Sequence, residues 1–211
     1  MEKIVVPHFK RKISGWEDAA ELQIASFPWY KEGTKQQTKV QLYRTDEAIH
    51  LLATAEDRWS SAIARELHGS VYLDSCFEFF FTPQLELGAP YLNLEFNCIG
   101  SMFVGFGPDV EHRATCSPQQ AEQIKLITSL QGPIKKPTPH DVDWTIELEI
   151  PIGLIEELAG YRPSEEGWYV NFFRCGGEKE PQHACWNPIE WPHPSFHRPE
   201  QFGLMEFVKC R

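Results

Sequence analysis

Apolar and polar residues alternate with a period of two through much of this 211-residue chain. In the stretch 91–97 (YLNLEFN), Leu92, Leu94 and Phe96 point to one face of an extended strand, and Tyr91, Asn93, Glu95 and Asn97 to the other. The stretch 76–82 (CFEFFFT) sets Phe77, Phe79 and Phe81 against Cys76, Glu78 and Phe80. Between them, 83–90 holds Pro83, Gly88 and Pro90, which predicts a turn and an antiparallel hairpin. In that hairpin Glu78 lies near the row Asn93, Glu95 and Asn97. Such a row is either a polar sheet face in solvent or a face that reads a ligand. Alternation, or β-branched and aromatic enrichment, predicts further strands at 38–44, 48–55, 101–106, 143–150, 168–175 and 203–209. The stretch 122–130 reads as another strand, with helix as the alternative. One short helix is predicted at 151–159, with Pro151 in its first turn and Gly160 past its end. Eight to ten short strands with turn-rich connections predict an all-β fold with one short helix. The expected architecture is an antiparallel β-sandwich of immunoglobulin or jelly-roll type, a single domain over 1–211. Residues 128–141 are expected to form a long exposed loop.

One segment breaks the pattern. WNPIEWPHPSFHRPEQFG (186–203) carries Trp186, Trp191, Phe196 and Phe202 among four prolines. Proline removes backbone donors and fixes φ, so this segment joins no central ladder. Its rings either cap the core or face a ligand, and the pattern leaves both open. Trp186 reads as core, whereas Trp29 and Trp59 lie in loops and read as lids.

Charge narrows the partners. Thirty acidic against 20 basic residues give a net charge of −10, which argues against nucleic acid, whose phosphates need a basic footprint. It argues equally against anionic membrane surfaces. No apolar run reaches the length of a membrane span, and the N-terminal stretch lacks a secretory apolar region. The expectation is a cytoplasmic protein, with a secreted or periplasmic location as the alternative if a leader has been removed. Cys76, Cys98, Cys116, Cys175, Cys185 and Cys210 form no CxxC pair and read as buried free thiols. His183, Cys185, His193 and His197 crowd one region, and His112 precedes Cys116 by four, but neither matches a zinc spacing, so no metal is expected. No glycine-rich phosphate loop or serine-nucleophile elbow is present.

The stretches VYLDSCFEFFFTP, YLNLEFNCIG, WYVNFFRCG, CWNP and FHRPEQFG occur in this order. Together they resemble the family 9 carbohydrate-binding modules over about residues 38–209. The resemblance implies a β-sandwich and non-catalytic binding of an oligosaccharide or polysaccharide, with no cofactor. Xylanase-attached members clamp a terminal sugar ring between two aromatic side chains. The matching positions here are Tyr72, six residues before the motif Glu78, and Phe196, six before the last Phe-Gly. The polar positions match Glu78, Glu95, Asn97 and Asn171, with Asn93 in the same row. Those relatives carry tryptophan at both clamp positions and an arginine where this chain has Glu95. Arg113 and Arg174 are the candidates to supply that guanidinium, and Trp191 to add a ring. The structural calcium of some members is not carried over, because no dense Asp/Asn loop is present.

Two other readings stand beside this one. Glu78 and Glu95 are a possible carboxylate pair for glycoside hydrolysis. A haem-binding or purely structural sandwich is the second, with Met102 and His68 as axial candidates for haem.

Overall fold

The alternating segments fold as strands. The computed structural model describes residues 1–140 and 142–210. In chain order the strands are β1 (Lys3–Phe9), β2 (Ala20–Gln23), β3 (Thr38–Thr45), β4 (Ala48–Ala55), β5 (Cys76–Thr82), β6 (Tyr91–Asn97), β7 (Met102–Gly107), β8 (Ala114–Thr115), β9 (Lys125–Thr128), β10 (Trp144–Pro151), β11 (Gly167–Cys175), β12 (Ala184–Cys185) and β13 (Gly203–Lys209). The helices are α1 (Pro118–Ala121) and α2 (Ile152–Ala159). Every predicted strand is present, and the ambiguous stretch 122–130 resolves as the strand β9. In the loop 128–141, Ile134 pairs with Ala62 through two backbone hydrogen bonds; its last residue, Asp141, lies outside the described residues. Pro151 closes β10 and stands at the N-cap of α2, one position earlier than expected, while Gly160 ends the helix in the left-handed region at φ 76°.

One hydrogen-bonded path joins the strands in the order β8-β7-β6-β5-β11-β13-β1-β3-β4-β10-β9, with β12 beside β11 and β2 beside β3. The expectation of a wholly antiparallel sheet needs one correction, since β1 runs parallel to both neighbours, β13 and β3. Pro7 argues against a central strand in the sequence. It is tolerated because β1 pairs with β3 only at His8 and Phe9, leaving Lys3–Pro7 bonded on the β13 side alone.

The sheet curls so that its two halves share one core. Phe77, Phe79 and Phe81 of β5 and Leu92, Leu94 and Phe96 of β6 belong to the same buried cluster as Val40 and Leu42 of β3 and Ile146, Leu148 and Ile150 of β10. Phe79 stacks on Phe172 with ring centroids 4.8 Å apart and planes 3° apart. Each such buried side chain contributes about 1.5–3 kcal/mol by removal from water. One charged pair sits in this apolar setting. Arg174 Nη2 is 2.7 Å from Asp57 Oδ2, both groups are buried, and the guanidinium lies over the Trp144 ring at 4.9 Å. Burial pushes the Asp57 carboxyl up, but Arg174, helped by Ser75 and Trp144, brings it net below its ordinary value. Among the described residues no helix is long and apolar enough to cross a membrane.

Candidate functional site

Strand pairing assembles the site on the face of the sheet turned away from the main core. In the β5–β6 ladder Glu78 stands opposite Glu95, Cys76 opposite Asn97 and Phe80 opposite Asn93. In the β5–β11 ladder Cys175 stands opposite Cys76, and Phe173 opposite Glu78. Paired residues share a face, so two carboxylates, two thiols and two carboxamides line up together. This face is not solvated. All of β5 and β6 is buried, because the proline-rich segment folds over it.

The cover is a second, smaller core. Phe196 lies flat on Phe173, Phe202 meets Tyr91 edge-on at 5.8 Å, and Ile189 is buried with them. Asn171 fastens the cover to β11: its Nδ2 donates to the Asn187 carbonyl and its Oδ1 accepts from the Asn187 N–H, both at 2.9 Å. The rings of the segment therefore cap a core, and Phe196 also borders a cavity.

That cavity, of about 410 Å³, lies between the cover and the sheet. Buried Glu78, Glu95 and Cys175 line it, together with Arg113, His183 and His197, and the rings of Tyr72 and Phe196 flank it. Tyr72 sits on the single helical turn Val71–Leu73 and is 55% exposed, whereas Phe196 is only 8% exposed. A larger cleft of about 840 Å³ adjoins it, sharing Tyr72 and His183.

Burial sets the electrostatics. It pushes the Glu95 carboxyl up to about 7, against the opposing pull of Arg113, whose Nη1 is 3.8 Å away, and of Asn93, which donates at 2.8 Å. Glu78 is raised well above its ordinary value by burial and then by Cys175 and Glu95. His197 is held down to about 4 by burial, Arg113 and Arg198, and is therefore neutral; its Nδ1 is hydrogen-bonded to Tyr91 Oη at 2.7 Å. Arg113 lies over the Phe103 ring at 4.2 Å. Its backbone runs so close to β7 that a Cβ at Gly107 would come within 2.5 Å of Arg113 Cα, so only glycine fits there. Among the described residues, the buried atoms Asn93 Oδ1 and Arg113 Nη1 find no hydrogen-bond partner, Nη1 having only its ion pair with Glu95.

Of the residues expected from sequence, Tyr72, Glu78, Glu95, Arg113 and Phe196 meet in this cavity, and Asn93 backs it through Glu95. Four others are engaged elsewhere. Asn97 donates to Asp74 and to the Ala64 carbonyl and accepts from the Ser101 N–H. Asn171 holds the cover. Arg174 belongs to the core pair with Asp57. Trp191 has the Arg198 guanidinium 3.3 Å from its ring centroid, and its carbonyl accepts from Trp29 Nε1. His68, the haem candidate, has Nε2 2.9 Å from the Cys116 carbonyl and Nδ1 3.5 Å from the Val104 nitrogen. Sequence reasoning did not place His183, His197 and Cys175 here. Only the strand parity of Cys175 with Phe173 was available to find one of them.

The chain matches the model of carbohydrate-binding family 9 over residues 11–207. No curated protein matches it in sequence. Its fold is similar to that of a candidate carbohydrate-binding protein from Bacteroides uniformis, with TM-score 0.87 and 23% identity over 98% of this chain and 99% of that one. It is also similar to a family 9 carbohydrate-binding module from Caldicellulosiruptor kristjanssonii in complex with glucose, with TM-score 0.61 and 14% identity over 100% and 97% of the two chains. The cellotriose complex of a family 9 module from that organism gives TM-score 0.62 and 13% identity over 100% and 95%.

Proposed function

Because the chain belongs to carbohydrate-binding family 9, we propose that it binds the terminal ring of an oligosaccharide or polysaccharide in the cavity beneath the proline-rich cover. Tyr72 and Phe196 flank the ring, offering apolar faces to its C–H surface. Glu95, Glu78 and Arg113 meet its hydroxyls, with Asn93 orienting Glu95. The observation that carries this reading is the convergence on one cavity of two buried carboxylates, Glu78 and Glu95, and the Arg113 guanidinium, flanked by the rings of Tyr72 and Phe196. Polar groups so placed are costly unless a ligand or water satisfies them. The glucose and cellotriose complexes of similarly folded modules support the same ligand class. The adjoining cleft leaves room for further sugar units beyond Tyr72.

The site is read as non-catalytic. Glu78 and Glu95 are cross-strand neighbours on one wall, whereas glycoside hydrolysis needs carboxyls on either side of the scissile bond. The curled sheet is read as a β-sandwich formed by one domain over 1–211.

Calorimetric titration with glucose, cellotriose and a wider panel of sugars tests the reading. The expected result is micromolar to millimolar binding, roughly −4 to −8 kcal/mol, weakened by Tyr72→Ala and Glu95→Ala. Absence of heat across the panel, with both variants folded, overturns it.

A further inference from the structure

The inner end of the cavity holds a second chemistry, set up by strand register. Cys76 and Glu78 are two residues apart on β5 and share a face, and Cys175 of β11 stands directly opposite Cys76. The two thiols converge on one oxygen: each Sγ is 3.4 Å from Glu78 Oε1, and the three atoms all lie within 4.8 Å of one another. All three residues are buried, and all six cysteines are free.

We propose that Cys76, Cys175 and Glu78 form a binding site for a thiophilic divalent cation, zinc foremost. Tetrahedral zinc with Zn–S of about 2.3 Å and Zn–O of about 2.1 Å sets its sulfur and oxygen ligands about 3.6 Å apart. The two S–O edges here, at 3.4 Å, are within a few tenths of an ångström of that spacing before any ion arrives. Two sulfurs exclude calcium and magnesium, which require oxygen cages, and select zinc-like ions. Three protein ligands leave a fourth position facing the cavity, which Glu78 and Cys175 line together with His183. Water fills it, as in open three-ligand zinc sites. Binding exchanges protons for metal: two thiols and one carboxylic acid release up to three protons, and two S–metal bonds and one O–metal bond form, with no change in oxidation state.

Cobalt titration of the reduced full-length protein tests the site, with zinc as the competitor and no sugar present, so the outcome is independent of the carbohydrate reading. The expected result is one cobalt per chain and a near-ultraviolet thiolate-to-cobalt band that zinc abolishes. The band is lost in Cys76→Ser and in Cys175→Ser, and retained in Cys98→Ser, whose thiol is buried outside the trio. X-ray absorption at the zinc edge of the wild-type protein requires no variant and should show two sulfur neighbours and two lighter ones. No cobalt band in the wild type, a band that survives in both trio variants, or a sulfur-free zinc shell overturns the proposal.

Discussion

Phe196 lies flat on Phe173, with ring centroids 4.2 Å apart and planes inclined by 13°. One face of the Phe196 ring is thus occupied by the protein, while the residue still borders the cavity. Packing and ligand contact can be separated by two variants. Phe196→Ala is expected to cost about 3–5 kcal/mol of stability and to abolish sugar binding. Phe196→Leu keeps most of the burial, costing about 1–2 kcal/mol, but loses the planar face, so its sugar affinity falls while its melting temperature drops by only about 2–8 °C. Thermal unfolding and calorimetry on both variants check this. Unchanged affinity in the leucine variant would make Phe196 a packing residue only.

Glu95 gives the site a pH dependence. Its carboxyl titrates near 7; above that it is an anion, a stronger acceptor for sugar hydroxyls. Sugar affinity should therefore rise several-fold between about pH 6 and about pH 8 and become flat in Glu95→Gln. Stability moves the other way. Between the ordinary carboxyl value of 4.5 and about 7 the folded chain holds a proton that the unfolded chain has lost. Stability from this group therefore falls as pH rises through that window, by up to about 3 kcal/mol. Denaturant titrations of wild type and Glu95→Gln at several pH values read this second effect.

Asn171 acts on the cover. Asn171→Ala removes both bonds to Asn187 and the one its Oδ1 accepts from the Phe172 N–H. An expected loss of about 2–4 kcal/mol should come with faster proteolysis within 186–203. A variant of full stability that fails to bind sugar would instead make Asn171 a ligand contact.

Arg174→Met leaves Asp57 buried without its cation. The expected loss is about 3–5 kcal/mol, read by denaturant unfolding, with sugar affinity of the folded protein unchanged.

Much of this was legible in the residues, and the rest failed for identifiable reasons. The β5–β6 hairpin and the Glu78–Glu95 neighbourhood follow from period-two alternation and one turn, both local. Arg174 shows a parity signal that was there to be used. It lies three residues after Asn171 on one strand, so the two face opposite ways. β1 was not among the predicted strands; its pairing with β13 joins residues about 200 apart, which nothing local signals. The Cys76–Cys175 register joins residues about a hundred apart, and nothing local fixes it. The histidines of the cavity sit on loops without a period, where side-chain direction is set by tertiary packing.

The seam at β1 bears on how the chain is made. β1 matches six residues of β13 and only two of β3, so its main partner is synthesised about 200 residues later. At about 5–20 residues per second, roughly 10–40 s separate the appearance of the two strands at the ribosome. Over that interval the first strand has no partner for most of its length, and the two halves of the sheet have nothing to join them. β1 cannot be seated along its length before β13 arrives, which makes closure of the sheet later than the pairing within either half.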